Sequence, residues 1–151
     1  MELSASVRIL ALDVGKRRIG VAISDGLGLT AQGLDTIERT RSREDYAVIA
    51  RLASEKGAGM ILIGNPVNMS GLEGRQAEWV RHFAEGLEAR CGLPIRLWDE
   101  RLTSVEAGRV LRQSGVSIEK RARAVDRLSA VILLQSYLDS LAMAEQAEEE
   151  Q

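Results

Sequence analysis

The tightest constraint on how this chain folds lies in residues 8–25, RILALDVGKRRIGVAISD, where two apolar runs flank a short basic turn. Each run has the length of a strand, and so short a turn returns the second antiparallel to the first. The first run ends on Asp13, two residues before Gly15. A carboxylate there holds an oxygen ligand at the edge of a sheet, and Gly15 and Gly20 let backbone or phosphate approach it closely.

The pattern continues through a third strand at 29–37, so strands at 8–13, 19–24 and 29–37 form an antiparallel meander. The period then changes. Ser42 and Asp45 have the spacing of a capping box, Tyr46, Ile49, Ala50 and Ala53 share a helical face, and Gly57 stops a helix over 43–56. Residues 60–63, MILI, are continuously apolar between glycines, as in an interior strand covered on both faces. Ser70 and Glu73 open a helix over 71–90 that carries Trp79, Val80, Phe83 and Leu87, and residues 94–98 form a fifth strand. Thr103 and Glu106 cap a helix running to Gln113, and a last helix over 122–142 buries Val125, Leu128, Ile132, Leu138 and Leu141. The order βββαβαβαα specifies an α/β fold, a five-stranded mixed sheet with helices on both faces.

A chain of 151 residues suits one domain, placed at 1–144, with an acidic, disordered tail at 145–151. Four glutamates fall in that tail, so the net charge of −2 hides +2 on the rest. Bases gather at Lys16, Arg17 and Arg18 and again at Lys120, Arg121, Arg123 and Arg127, where they can meet phosphates. No run approaches the ~20 apolar residues that cross a bilayer, and the start has neither a basic nor an apolar signal region, so the expected location is the cytoplasm, with no membrane partner. One cysteine and one histidine exclude an internal disulfide and a tetrahedral zinc site.

Three acidic positions stand in apolar or ordered settings: Asp13, the pair Asp99 and Glu100 after the fifth strand, and Asp126 early in the last helix. Hard divalent cations prefer such oxygen donors, and two ions ~3.5–4 Å apart can activate water and stabilise the leaving oxygen of a phosphodiester. Alternatively, Asp13 satisfies turn N–H groups, Asp99 and Glu100 pair with Arg96 or Arg101, and Asp126 pairs with Arg123 or Arg127. Asp25 precedes Gly26 and is expected to make a turn. The glycine patterns match neither a P-loop nor a dinucleotide fingerprint. His82 reads as helix surface and Cys91 as packing, and the five aromatics offer no evident stacking platform for bases.

Four ordered motifs, LDVGKRRIGVAISD at 12–25, IGNPVNMSG at 63–71, WDERLTSVEA at 98–107 and VDRLSAVILLQSYL at 125–138, resemble those of the YqgF/RuvX family. That family belongs to the ribonuclease H-like superfamily, which includes Holliday junction resolvases. The resemblance covers residues 9–138 and implies a ribonuclease H-like fold and a Mg²⁺- or Mn²⁺-dependent nuclease with a two-metal site. Its metal ligands would be Asp13, Asp99, Glu100 and Asp126, with Asp13, Glu100 and Asp126 catalytic.

The same resemblance implies maturation of the 5′ end of pre-16S ribosomal RNA, with ribosomal particles as partners. Branched DNA and a non-catalytic RNA-binding role are the alternatives, and the chain would act as a monomer or homodimer. Lys16, Arg17, Arg18 and Arg101 would position the strand, and Asn65, Asn68 and Ser70 would border its groove. Resolvases carry an acid after the fourth strand, where this chain has Gly64, Asn65 and Pro66, so that role passes to the fifth strand. Alternation sends Asp99 and Glu100 to opposite faces, and Glu100 is favoured for its longer reach.

Overall fold

The computed structural model describes residues 7–65, 74–99 and 118–149. They form β1 (Arg8–Val14), β2 (Arg18–Ser24), β3 (Ala31–Glu38), α1 (Ser42–Glu55), β4 (Ala58–Asn65), α2 (Arg75–Cys91), β5 (Ile95–Asp99) and α3 (Ile118–Glu149). The expected helix over 103–113 lies outside the described residues. One five-stranded sheet has the order β3-β2-β1-β4-β5. The meander is antiparallel, with Asp13 opposite Gly20, whereas β4 and β5 join β1 in parallel, with Asn65 beside Asp99. The carboxyl ends of β1, β4 and β5 therefore share one edge, the usual place for a ligand site in an α/β sheet.

Strand alternation sorts the interior strands into two faces. On one, Leu10, Leu12, Val14, Ile19, Val21, Ile23, Ile61 and Ile63 pack under Ile49 and Ala53 of α1 and Val80, Phe83 and Leu87 of α2. On the other, Ile9, Ala11, Ala22 and Leu62 meet Ala130, Leu133, Leu134, Tyr137 and Leu138 of α3. Each fully buried Leu or Ile contributes roughly 1.5–3 kcal/mol, so both layers drive folding.

The helix boundaries differ from the sequence reading in instructive ways. Arg41, without a side-chain bond, caps α1. Asp45 instead turns back, its carboxylate accepting from the Thr40 N–H and hydroxyl, both at 3.1 Å, and from Arg39 Nε at 2.9 Å. Helix α2 begins at Arg75 rather than 71, because Gly74 holds an extended backbone, and Gly92 ends it at φ 71°, a left-handed conformation that glycine adopts without strain.

Helix α3 runs through 145–149, where a disordered tail was expected. The Ala, Glu, Gln and Met residues at 142–149 are strong helix formers. Its buried stripe also differs: Leu141 is 41% exposed, and Val125, Leu128 and Ile132 are half-buried. The run at 130–134 is apolar on every side, so periodicity alone could not choose the stripe. Among the described residues, no helix is long and apolar enough to cross a membrane.

Candidate active site

Asp13 is the penultimate residue of β1 and half-buried. Residues directly opposite in an antiparallel pair share a face, so its side chain leaves the sheet on the side of its partner Gly20. A Cβ at Gly20 would overlap the backbone carbonyl of Asp126 on α3. The missing side chain thus lets the helix sit directly on β2, and Asp13 and Asp126, 113 positions apart in the sequence, reach the same face at the same edge.

Several bonds hold α3 in that seat. The side chain of Gln135 accepts from Ala31 N–H at 3.1 Å and donates to Leu29 O at 3.0 Å. Arg127 donates to Leu34 O at 3.1 Å and Asp35 at 2.8 Å. From β5, Trp98 donates to Ser136 at 3.3 Å and stacks edge-on against Tyr137 at 5.1 Å. Arg96 lies over the Tyr137 ring at 5.5 Å.

Arg18, expected to contact substrate, donates Nε to Asp126 Oδ2 at 2.7 Å, both side chains being about a quarter exposed. This hydrogen bond, aided by the charge of Asp126, holds the guanidinium above its ordinary pKa against the cost of desolvation. The sequence offered Arg123 or Arg127 as partner for Asp126; Arg127 pairs with Asp35 instead, and a strand residue 108 positions away bonds Asp126.

The turn between β1 and β2 is equally fixed. Gly15 N–H donates to Arg18 O at 2.9 Å, Arg39 N–H to Arg17 O at 2.8 Å, and the Arg39 guanidinium to Gly15 O at 3.2 Å. Arg39 also pairs with Asp45, only 1% exposed. Such a buried pair fixes geometry more surely than it adds stability. Arg39 was not singled out from sequence, and Asp45 was read as a capping-box acid rather than as its partner, since an arginine after a strand is a common surface feature. Lys16 and Arg17 stand exposed on this turn.

Asn65 closes β4 in register with Asp99. Asp25 makes the expected turn, accepting from Leu29 N–H at 2.8 Å and Thr30 N–H at 3.3 Å. These bonds, that of Leu29 first, lower its pKa. His82 is exposed, and Cys91 packs against the α1–α2 core. Glu100, Arg101, Asn68 and Ser70 lie outside the described residues. Among those described, no three His, Cys, Asp or Glu side chains group as metal ligands. The carboxylates of Asp13 and Asp126 are hard oxygen donors, suited to Mg²⁺ or Mn²⁺ rather than to a soft metal.

The sheet and its helices have the ribonuclease H-like fold of the junction resolvases. RuvC of T. thermophilus, solved with a Holliday junction substrate, superposes with a TM-score of 0.55 at 11% identity, covering 90% of this chain and 96% of that one. Fowlpox virus resolvase, solved with Holliday junction DNA, gives 0.55 at 13% identity over 89% and 99%. The family model described as "RuvX: Holliday junction resolvase" matches residues 7–140, and the chain belongs to that family. A relative from Koribacter versatilis is 52% identical over 132 residues, 87% of this chain and 86% of its own, and carries the name "Putative pre-16S rRNA nuclease". The same name belongs to a Listeria monocytogenes relative, 46% identical over 136 residues, 89% of this chain and 99% of its own.

Proposed function

We propose that this chain is a nuclease that hydrolyses phosphodiester bonds with Mg²⁺ or Mn²⁺ and trims the 5′ end of pre-16S rRNA in the cytoplasm, acting on precursor ribosomal particles. The observation that supports this reading is the close seat of the Asp126 backbone on Gly20, the residue opposite Asp13, which sets both positions on one face of the sheet. The names of the relatives supply the substrate.

Asp13, Glu100 and Asp126 would hold the metal, with Asp99 as a further ligand or orienter. Trp98 packs on the α3 face and Leu97 on the other. Glu100 is favoured over Asp99 for its longer reach. Bound there, divalent ions supply Lewis acidity and positive charge at the reacting phosphate.

The chain's own residues do the positioning. Arg18 fixes the Asp126 carboxylate through Nε and keeps its remaining guanidinium N–H groups for phosphate oxygens. Lys16 and Arg17, on a turn held by Arg39, would draw the strand in, with Asn65, Asn68, Ser70 and Arg101 lining its path. Half-burial of Asp13 strengthens its pull on a cation relative to open water.

The test is cleavage of a 5′-extended 16S precursor by purified protein in Mg²⁺, Mn²⁺ or chelator. Wild-type protein should cut only with metal, and Asp13→Asn or Asp126→Asn should lower the rate by at least ~100-fold while melting like wild type. Cleavage that persists in chelator refutes the metal mechanism. The family description favours a second reading, a junction-resolving DNA endonuclease. Symmetric cutting of a four-way junction by a homodimer, with the precursor left intact, would establish it over the first.

A further inference from the structure

A second site lies on the other side of the same turn. Lys16 from the β1–β2 turn, Arg39 and Thr40 after β3, and Arg75, Gln76 and Trp79 from the start of α2 line a cavity of about 530 Å³. That is a size that takes a nucleotide. Three cations face it, and of these only Arg39 has an ion pair among the described residues, with Asp45. Glu78, in the same turn of α2, is not among the lining residues.

Trp79 is the unusual member. It shares a helical face with the buried Phe83 and Leu87, yet it is 38% exposed. Arg39 lies 4.8 Å from its ring centroid, and Phe83 stacks on it at 5.7 Å and 29°. Tyr46 holds Phe83 edge-on at 5.0 Å, so the indole is fixed before any ligand arrives. A rigid, partly exposed indole framed by cations suits one ligand above others: a nucleobase stacked on the ring with its phosphates on Lys16 and Arg75.

The position fits a substrate strand. Three peptide units separate Asp13 from Lys16, at most ~11 Å between their Cα atoms, so a strand that passes over the carboxyl edge from Asp13 to the α2 side can place a nearby nucleotide in the cavity. We infer that this cavity is a subsite for an unpaired nucleotide flanking the cleaved bond, with Trp79 as the stacking platform and Lys16 and Arg75 as the phosphate contacts. The inference rests on the nuclease reading for its strand direction past Asp13, but binding itself needs no cleavage. A paired base cannot leave its helix to stack here without an unpairing cost, so the site selects single-stranded segments.

The experiment measures fluorescence anisotropy of end-labelled hexa-adenylate RNA with the full chain in chelator, where cutting is blocked. Trp79→Ala should weaken binding about 5- to 150-fold, the contribution of one base stack, and Trp79→Phe should restore most of it. The double variant Lys16→Ala/Arg75→Ala changes two exposed side chains and should reduce the slope of log K against log salt by about 1.4. A duplex RNA of equal length should bind Trp79→Ala within twofold of wild type. Wild-type affinity in both Trp79→Ala and the double variant overturns the subsite, and an equal loss on duplex overturns its selectivity. Trp79-dependent binding without metal-dependent cleavage would leave the subsite standing and remove the nuclease reading; cleavage without such binding would do the reverse.

Discussion

The two faces of the sheet are built from different residues for different purposes. Beneath α1 and α2, β1 and β2 offer Leu10, Leu12, Val14, Ile19, Val21 and Ile23, whose bulk holds the helices off the sheet and fills the space between. Beneath α3 the alternate positions are Ile9, Ala11, Asp13, Gly20, Ala22 and Ser24. Apart from Ile9 these are small or polar, and they let α3 descend until its backbone touches Gly20, which sets Asp13 and Asp126 on one face. The first face makes stability; the second gives up side-chain volume to bring charge together.

Leu10→Ala should show the largest effect on stability. Leu10 is fully buried in the α1–α2 layer, away from the carboxylate edge, and the cavity should cost about 2–5 kcal/mol in denaturant unfolding. The nuclease activity of the folded fraction should stay near wild type. Gly20→Ala should do the opposite in kind. Its methyl group meets backbone rather than a pliable side chain, so the start of α3 must shift, costing roughly 1–3 kcal/mol and most of the activity. If Gly20→Ala cleaves like wild type, close seating of α3 is not what assembles the site. Gly33→Ala, under the same helix, would meet Arg127 Cγ at 2.6 Å, and a long side chain can yield. Its net change should stay within ~1 kcal/mol, since alanine also restrains the unfolded chain.

This contrast also marks what was legible in the sequence. The succession of strands and helices could be read, and Asp13 and Asp126 could be picked out as candidates, because each rests on a local signal: an apolar run that ends in Asp13, or Asp126 within an apolar helix. Which face each residue takes could not, because β1, β2 and β4 are apolar on both sides and only packing separates Leu12 from Ala11. Gly20 read as freedom for the backbone, whereas its use is to admit a helix from 106 positions later. The Arg18–Asp126 pair and the Arg39–Asp45 clamp are tertiary, with nothing in their spacing to announce them. Trp79 shares the spacing of Phe83 and Leu87 on α2, yet part of its ring is covered by Arg39, a charged residue that helical spacing on α2 cannot reveal.

The smallest expected effect tests the bulky face by pH. Tyr46 packs between α1 and α2 against Phe83, with its hydroxyl against Gly86, where a Cβ would overlap it. Burial raises its pKa above the ordinary 10.0, and the bond to Ser42 and the charge of Arg39 offset part of the rise. Above pH 10 the folded chain therefore holds this proton more tightly than the unfolded chain, so unfolding releases it and stability falls as pH climbs through that range. Tyr46→Phe removes this contribution. Its melting temperature should decline less steeply than that of wild type between pH 10 and 11, while the two curves run parallel below pH 9. Parallel curves throughout would mean that the ring, unlike the aliphatic layer beneath it, stays open to water.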